Sequence, residues 1–265
     1  MPTDPAVLLT DLAAETAALR DLIDLLPDGA WRYATPAPGW TIGDQIGHLA
    51  YFDDVAVTAA TDPRAFASLQ ASHAATAESP DTIAARYRAL GPFELLEWFG
   101  RARARLLEAF AGVDPSMRVP WFGPPMGVPS MLTARLMETW AHGQDIADTV
   151  SAPREPTARL RHVAHLGVIT RSYSYAAHGL PAPDEPVRVE LAGPSGELWT
   201  WGSADAPDRV TGPALDFCLL VTQRRHRTDT SVIAHGPVAE QWLAIAQAFA
   251  GPPGPGRTPG QFDAR

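Results

Sequence analysis

Close to residue 180 the hydrophobic pattern of this chain changes period. Upstream, apolar residues recur three and four apart, as on one face of a helix; downstream of "LPAPDEP" they alternate in twos, as on a strand. No strand pattern interrupts the first part, so its helices must bury their stripes against one another. The pattern therefore predicts a mostly α protein, a helix bundle followed by a small α+β part.

In "DPAVLLTDLAAETAALRDLIDLLP" Leu8, Leu12, Leu19, Leu22, Ile23 and Leu26 share one face, Pro5 sits in the tolerated first turn and Pro27 ends the run. Thr41 reads as an N-cap with Asp44 three residues on, opening a helix over about 42–60. "DTIAARYRALGPFELLEWFGRARARLLEAFAGV" predicts a third helical region, interrupted near Gly91-Pro92 and ended by Gly112. Residues 113–129 hold five prolines and two glycines, which predicts a long irregular connection of the kind that forms lids or crossovers. A fourth helix follows, with Ser130 as its cap. Four helices by about residue 150 match an antiparallel bundle with one long crossover. A fifth is expected over about 157–179. Beyond it, "VRVEL" and "ELWTWG" flank a hairpin turn, "TSVIAHG" reads as a strand, and "PALDFCLLVTQRR" and "PVAEQWLAIAQAFAG" read as helices. The expected organisation is a bundle over 1–152, a connecting helix over 153–180, a small α+β domain over 181–250 and a flexible tail over 251–265.

Composition narrows the partners. With 46% hydrophobic and 19% charged residues the chain has the apolar content of a folded core. A formal net charge of -9 argues against nucleic acid, which recruits basic patches. No apolar run reaches the roughly 18 to 20 residues of a membrane helix, and the first residues lack the positive charge of a signal peptide. A cytoplasmic protein, monomer or homodimer, is expected. The single cysteine, Cys218, excludes intramolecular disulfides and cysteine-rich zinc sites, and "ALDFCLLV" reads as a buried, inert setting for it. No H-E-x-x-H, G-x-S-x-G, G-x-G-x-x-G or Walker pattern is present.

One constellation can carry chemistry. In "MLTARLMETWAHGQDIADTV" Glu138 and His142 stand four apart, one turn along a single helix face. His48 lies in the apolar helix "TIGDQIGHLAYFDD", where it points inward or into a cleft. If the second and fourth helices are neighbours, these three converge. Two imidazoles and a carboxylate suit a divalent transition ion and leave a coordination position open. The spacing alone also allows a solvated Glu/His face and a core histidine bonded to a backbone carbonyl. Asp44 and Asp145, each one turn from a ligand, could orient an imidazole or could simply be solvated. His73, His162, His165, His178, His226 and His235 read as structural or solvated.

"PGWTIGDQIGHLAYFDD", followed about ninety residues later by "METWAHGQDIADTV", resembles the mycothiol-dependent maleylpyruvate isomerase family of the DinB-like superfamily, over residues 1 to about 150. The resemblance implies a DinB-like four-helix bundle and a divalent metal on His48, Glu138 and His142, with zinc the default and nickel, iron(II) or manganese as alternatives. It implies a low-molecular-weight, mycothiol-like thiol as co-substrate, for isomerisation or thiol transfer on a small electrophile. The second part is similar to a sterol-carrier-type α+β domain; "GPALDFCLLVTQRRH" and "GPVAEQWLAIAQAF" also resemble a module grouped with wyosine-forming proteins. The acidic balance and the lack of cysteine clusters argue against tRNA chemistry for it. The family resemblance further implies an arginine facing the metal from the second domain. "QRRHR" offers Arg224, Arg225 and Arg227, of which Arg225 is chosen, against a solvated basic helix end. Trp121 and Phe122 of "VPWFGPPMGVP" would wall the substrate cleft, or else pack the crossover onto the bundle. Two rival functions stay open: a metal-dependent hydrolase or other Lewis-acid enzyme without thiol, and a non-enzymatic ligand-binding or sensor protein.

Overall fold

The computed structural model describes residues 4–262, and the chain divides into two compact units, Met1–Ala152 and Pro153–Arg265. In the first unit α1 (Pro5–Ile23), α2 (Ile42–Thr61), α3 (Pro63–Thr76), α4 (Pro80–Arg86), α5 (Pro92–Ala111) and α6 (Val128–Val150) follow one another. The four long ones form the bundle, α2 packing on α5 and α6 and α1 on α6. Their stripes meet in a core of Leu19, Ile23, Ile42, Ile46, Leu49, Leu95, Phe99 and Ile146. The capping box expected at the start of α2 is present: Asp44 N–H donates to Thr41 Oγ1 at 3.2 Å and Thr41 N–H to Asp44 Oδ2 at 2.8 Å.

A charged knot is sealed inside the bundle. Asp53 of α2 accepts from Arg103 Nε of α5 at 2.7 Å and from Arg135 Nε of α6 at 2.9 Å, and all three residues are buried. Arg103 also donates to Thr16 of α1 and, at 2.9 Å, to Thr139 Oγ1 of α6; Arg135 Nη2 donates to the Leu49 carbonyl at 3.3 Å. Buried charges are tolerated when paired and hydrogen-bonded in this way.

Three local expectations are corrected. Helix α3 was not foreseen, because its Ala/Ser-rich sequence buries only Phe66 and carries no apolar stripe; Asp62, accepting from Ala65 N–H at 3.0 Å, and Pro63 start it instead. Ser130 is not the cap of α6: the cap position is Gly127 and Pro129 occupies the first turn. The crossover is not irregular throughout, since β1 (Arg118–Val119) and β2 (Met126–Gly127) pair antiparallel and place Trp121 and Phe122 between them.

The second unit opens with α7 (Leu160–Ile169) and α8 (Arg171–Ala177) where one continuous helix was expected. The break falls at Thr170, whose hydroxyl lies within hydrogen-bonding distance of the Leu166, Gly167 and Gln247 carbonyls. Strands β3 (Val187–Ala192), β4 (Leu198–Trp201), β5 (Asp208–Pro213) and β6 (Ile233–His235) form one sheet in the order β4-β3-β5-β6, with β3 and β5 parallel and the other pairs antiparallel. Val187, Val189, Leu191, Trp199 and Val210 are its buried apolar side chains. Helices α9 (Ala214–Val221) and α10 (Pro237–Ile245) bring Phe217 and Trp242 into edge contact, ring centres 6.0 Å apart. Cys218 is buried, and burial pushes its thiol well above the usual range, which disfavours the thiolate. Residues 251–262 contain no helix or strand but are fastened: Gln247 Nε2 donates to the Gly251 carbonyl at 3.0 Å and Gly260 N–H to Asp229. Among the described residues no helix is long and apolar enough to cross a membrane.

Candidate metal centre

Because α2 and α6 pack side by side, His48 meets the pair on α6. One donor atom from each of His48, Glu138 and His142 lies within 4.8 Å of the others, and among the described residues this is the group of His, Cys, Asp or Glu so arranged. Glu138 Oε2 is the hub, 3.1 Å from His142 Nε2 and 3.6 Å from His48 Nε2. Both histidines are buried and Glu138 is half-buried.

The surroundings set the charges. Burial alone would raise the Glu138 carboxyl, but the hydrogen bonds and charges of His142 and His48 outweigh it and hold it well below the usual carboxylate range. Burial, helped by the neighbouring His142, pushes His48 down to about 4, so it is neutral at neutral pH, the form that ligates metals. Its Nδ1 is buried with no hydrogen-bond partner among the described residues.

His142 is held more firmly. Its Nδ1 hydrogen-bonds Gln45 Oε1, Gln45 Nε2 donates to Thr35 Oγ1 at 2.9 Å, and Thr35 Oγ1 donates to the Trp40 carbonyl at 3.0 Å. The Trp40 indole then stacks on His142, ring centres 5.7 Å apart at 20°, and tilts against His48 at 5.3 Å. On the other side Phe52 touches His48 at 4.6 Å and continues to Trp121 and Phe122 at 6.2 and 6.3 Å.

This donor set fits a cation. An amide oxygen only accepts, so Gln45 Oε1 at His142 Nδ1 calls for hydrogen there and leaves the Nε2 lone pair facing the Glu138 carboxylate at 3.1 Å. Two lone pairs that close repel unless positive charge lies between them. A proton can fill that place in the metal-free protein, whereas a divalent ion would also engage His48.

The model of the mycothiol maleylpyruvate isomerase N-terminal domain matches residues 12–147, just over half the chain and all three donors. The chain belongs to that family. The wyosine base formation model matches residues 183–235. Two uncharacterised proteins, from two strains of Mycobacterium tuberculosis, are each 52% identical to this family member over 255 residues, spanning 96% of this chain and 99% of theirs. Crystal structures of mycothiol-dependent maleylpyruvate isomerase, native and with a histidine replaced by alanine, match at TM-score 0.59, covering 89% of this chain and 95% of theirs. At 20% and 19% identity they establish a shared, mostly helical fold with a small sheet part.

Other expected site residues of this isomerase-family chain lie as follows. Asp44 does not orient an imidazole, since its carboxylate is occupied by Thr41 N–H at 2.8 Å, Thr41 Oγ1 at 2.9 Å and Arg88 Nε at 2.9 Å. Asp145 is fully buried on α6, but the ring nitrogen of His142 away from Glu138 is bonded to Gln45. Gln45 lies within one turn of His48 in the sequence but carried no expected role; a polar amide in an otherwise apolar stretch was its signal. Trp121 and Phe122 rest on α3, Trp121 stacked on Phe66 at 6.1 Å and Phe122 on His73 at 4.9 Å, with Gln70 Nε2 donating to the Trp121 carbonyl at 3.1 Å. Arg225 lies in the second unit with its guanidinium over the Phe262 ring at 3.7 Å and Nη1 donating to the Arg224 carbonyl at 2.7 Å.

Proposed function

We propose that this protein is a divalent-metal enzyme that takes a low-molecular-weight thiol of the mycothiol type as co-substrate, for isomerisation or thiol transfer on a small electrophilic molecule. The observation that carries the reading is the convergence of His48, Glu138 and His142 within 4.8 Å, inside the segment matched to the isomerase family. Those three side chains would hold the ion, with zinc the first candidate for two imidazoles and a carboxylate. A bound divalent ion supplies Lewis acidity, which favours the thiolate over the thiol at neutral pH.

The chain's own residues do the rest. Neutral His48 and locked His142 present ring nitrogens to one point, while Trp40 and Phe52 cover the rings and keep water from them. Trp121 and Phe122 extend the Phe52 wall to receive an apolar substrate body. Arg225 is assigned to grip a substrate carboxylate, the bidentate contact that a guanidinium makes. In isomerisation, sulfur adds to one carbon of a conjugated double bond and the displaced electron pair moves onto the conjugated carbonyl. Rotation about the new single bond and return of the pair expel the sulfur, so the thiol is regenerated. In transfer, a leaving group departs with its bonding pair instead and the thiol's proton passes to solvent.

Purified protein should carry close to one divalent ion per chain, and His142→Ala should lose it, as read by elemental analysis. Undiminished metal in that variant would remove the site. Turnover of an unsaturated acid should require added thiol; thiol-independent hydrolysis by the metal-loaded protein would move the assignment to activated-water chemistry. Arg225→Met should raise KM for carboxylate substrates roughly ten- to hundredfold, the weight of a charged hydrogen-bonded contact, and an unchanged KM would discard its role.

A further inference from the structure

We infer that Gln45, itself set by Thr35, is a positioning residue that fixes His142 in the tautomer carrying hydrogen on Nδ1, so that Nε2 is offered unprotonated to a metal. The inference rests on the metal reading above but adds what makes one imidazole a prepared ligand.

The amide has one workable orientation. Thr35 Oγ1 is 3.0 Å from the Trp40 carbonyl, an acceptor only, so the hydroxyl hydrogen is committed there and the oxygen must accept from Gln45. Gln45 therefore turns Nε2 to Thr35 and Oε1 to His142 Nδ1. A flipped amide would set its oxygen against an oxygen with no hydrogen left to give, and its N–H against Nδ1. Gln45 is fully buried and Thr35 nearly so, so water does not compete freely for these groups. The same residue closes the device from the opposite side, since the Trp40 backbone anchors Thr35 while its indole covers the His142 ring. His48 has no counterpart: its Nδ1 is buried without a partner among the described residues. The two histidines thus differ, His142 fixed in tautomer and plane, His48 held by packing between Trp40 and Phe52. Partners of this kind around a metal-bound imidazole set both ring orientation and ligand basicity.

The test uses the full chain in metal-free and metal-loaded forms. In the metal-free, nitrogen-15-labelled protein, at a pH where the ring carries a single hydrogen, long-range proton–nitrogen correlation spectra should show His142 with that hydrogen on Nδ1; Gln45→Met should abolish that preference. In a chelator competition with zinc, Gln45→Met should weaken binding roughly 10- to 100-fold. Thr35→Val, which frees the amide to flip, should fall between. Gln45→Glu, which keeps an acceptor facing Nδ1, should restore affinity to within a few-fold of the parent, a rescue that a merely space-filling role would not give to Glu over Met. Thermal unfolding of each metal-free variant reports on its fold. A singly protonated parent His142 with its hydrogen on Nε2, or a folded Gln45→Met variant that binds zinc as tightly as the parent, overturns the inference. Should the parent bind no metal while His142 keeps the Nδ1–H form, the tautomer lock stands and the functional reading above falls instead.

Discussion

Asp44 shows how a single carboxylate can matter to a site without touching it. Its oxygens hold the first turn of α2 through Thr41 and reach Arg88 in the turn before α5, which sets the helix that carries Gln45 and His48. Burial would raise its carboxyl, but the Arg88 and Thr41 hydrogen bonds win and hold it below the usual 3.8. The folded state therefore binds this proton less readily than the unfolded one. The stabilisation is complete above the unfolded value of 3.8 and is lost as pH falls through the lower folded value. Asp44→Asn should accordingly cost about 1 kcal/mol at neutral pH, the size of a lost cap, and the gap to the parent should close in strong acid. Urea titrations across pH would show this; a gap as wide at pH 3 as at pH 7 would exclude the charge as its source. The sequence marked Asp44 correctly as a cap residue, because capping is local, but Arg88 stands 44 residues away and no local rule names it.

At the scale of elements, close packing of α7 on α9 depends on a missing side chain. A Cβ at Gly167 would lie 2.8 Å from Val221 Cγ2, inside contact distance. Gly167→Ala should destabilise the second unit by about 1–3 kcal/mol through overpacking, visible as a lower Tm. Metal content should be unaffected, since the three donors belong to the other unit. A Tm equal to or above the parent's would mean that the helices can part at no cost. Elements with a stripe or a cap signal were readable in this way: α1, α2 and α5 announce themselves by apolar spacing, the β3–β4 hairpin by alternation. Helix α3 was not readable, for it lies on the bundle with a single buried side chain, and the bend at Thr170 was hidden because the apolar stripe runs on through it.

For the bundle as a whole, the knot of Asp53, Arg103 and Arg135 fixes which helices are neighbours. It joins α2, α5 and α6, with Thr16 of α1 at its edge, and it lies close in sequence to the donors: Asp53 five residues after His48, Arg135 three before Glu138. Removing one partner of a buried ionic group strands the others without compensation. Asp53→Ala should therefore lower stability by about 3–5 kcal/mol, measured by denaturant unfolding, and the folded remainder should bind metal less tightly. A loss below about 1 kcal/mol would place the knot in contact with water and end its proposed role as a clamp.

The sequence by itself determined what helix geometry dictates. With 3.6 residues per turn, Glu138 and His142 must share a face once residues 128–150 are helical, and the change of period near residue 180 marks where the strands of the second unit begin. Tertiary structure alone decided that His48 faces that pair, that Gln45 reaches His142 across 97 residues of chain, and that Arg225 stacks on Phe262. The reason is physical. Spacing along a helix is set by covalent geometry and backbone hydrogen bonds, whereas the meeting of two helices is set by the burial of whole faces, a sum over many side chains that no short motif contains.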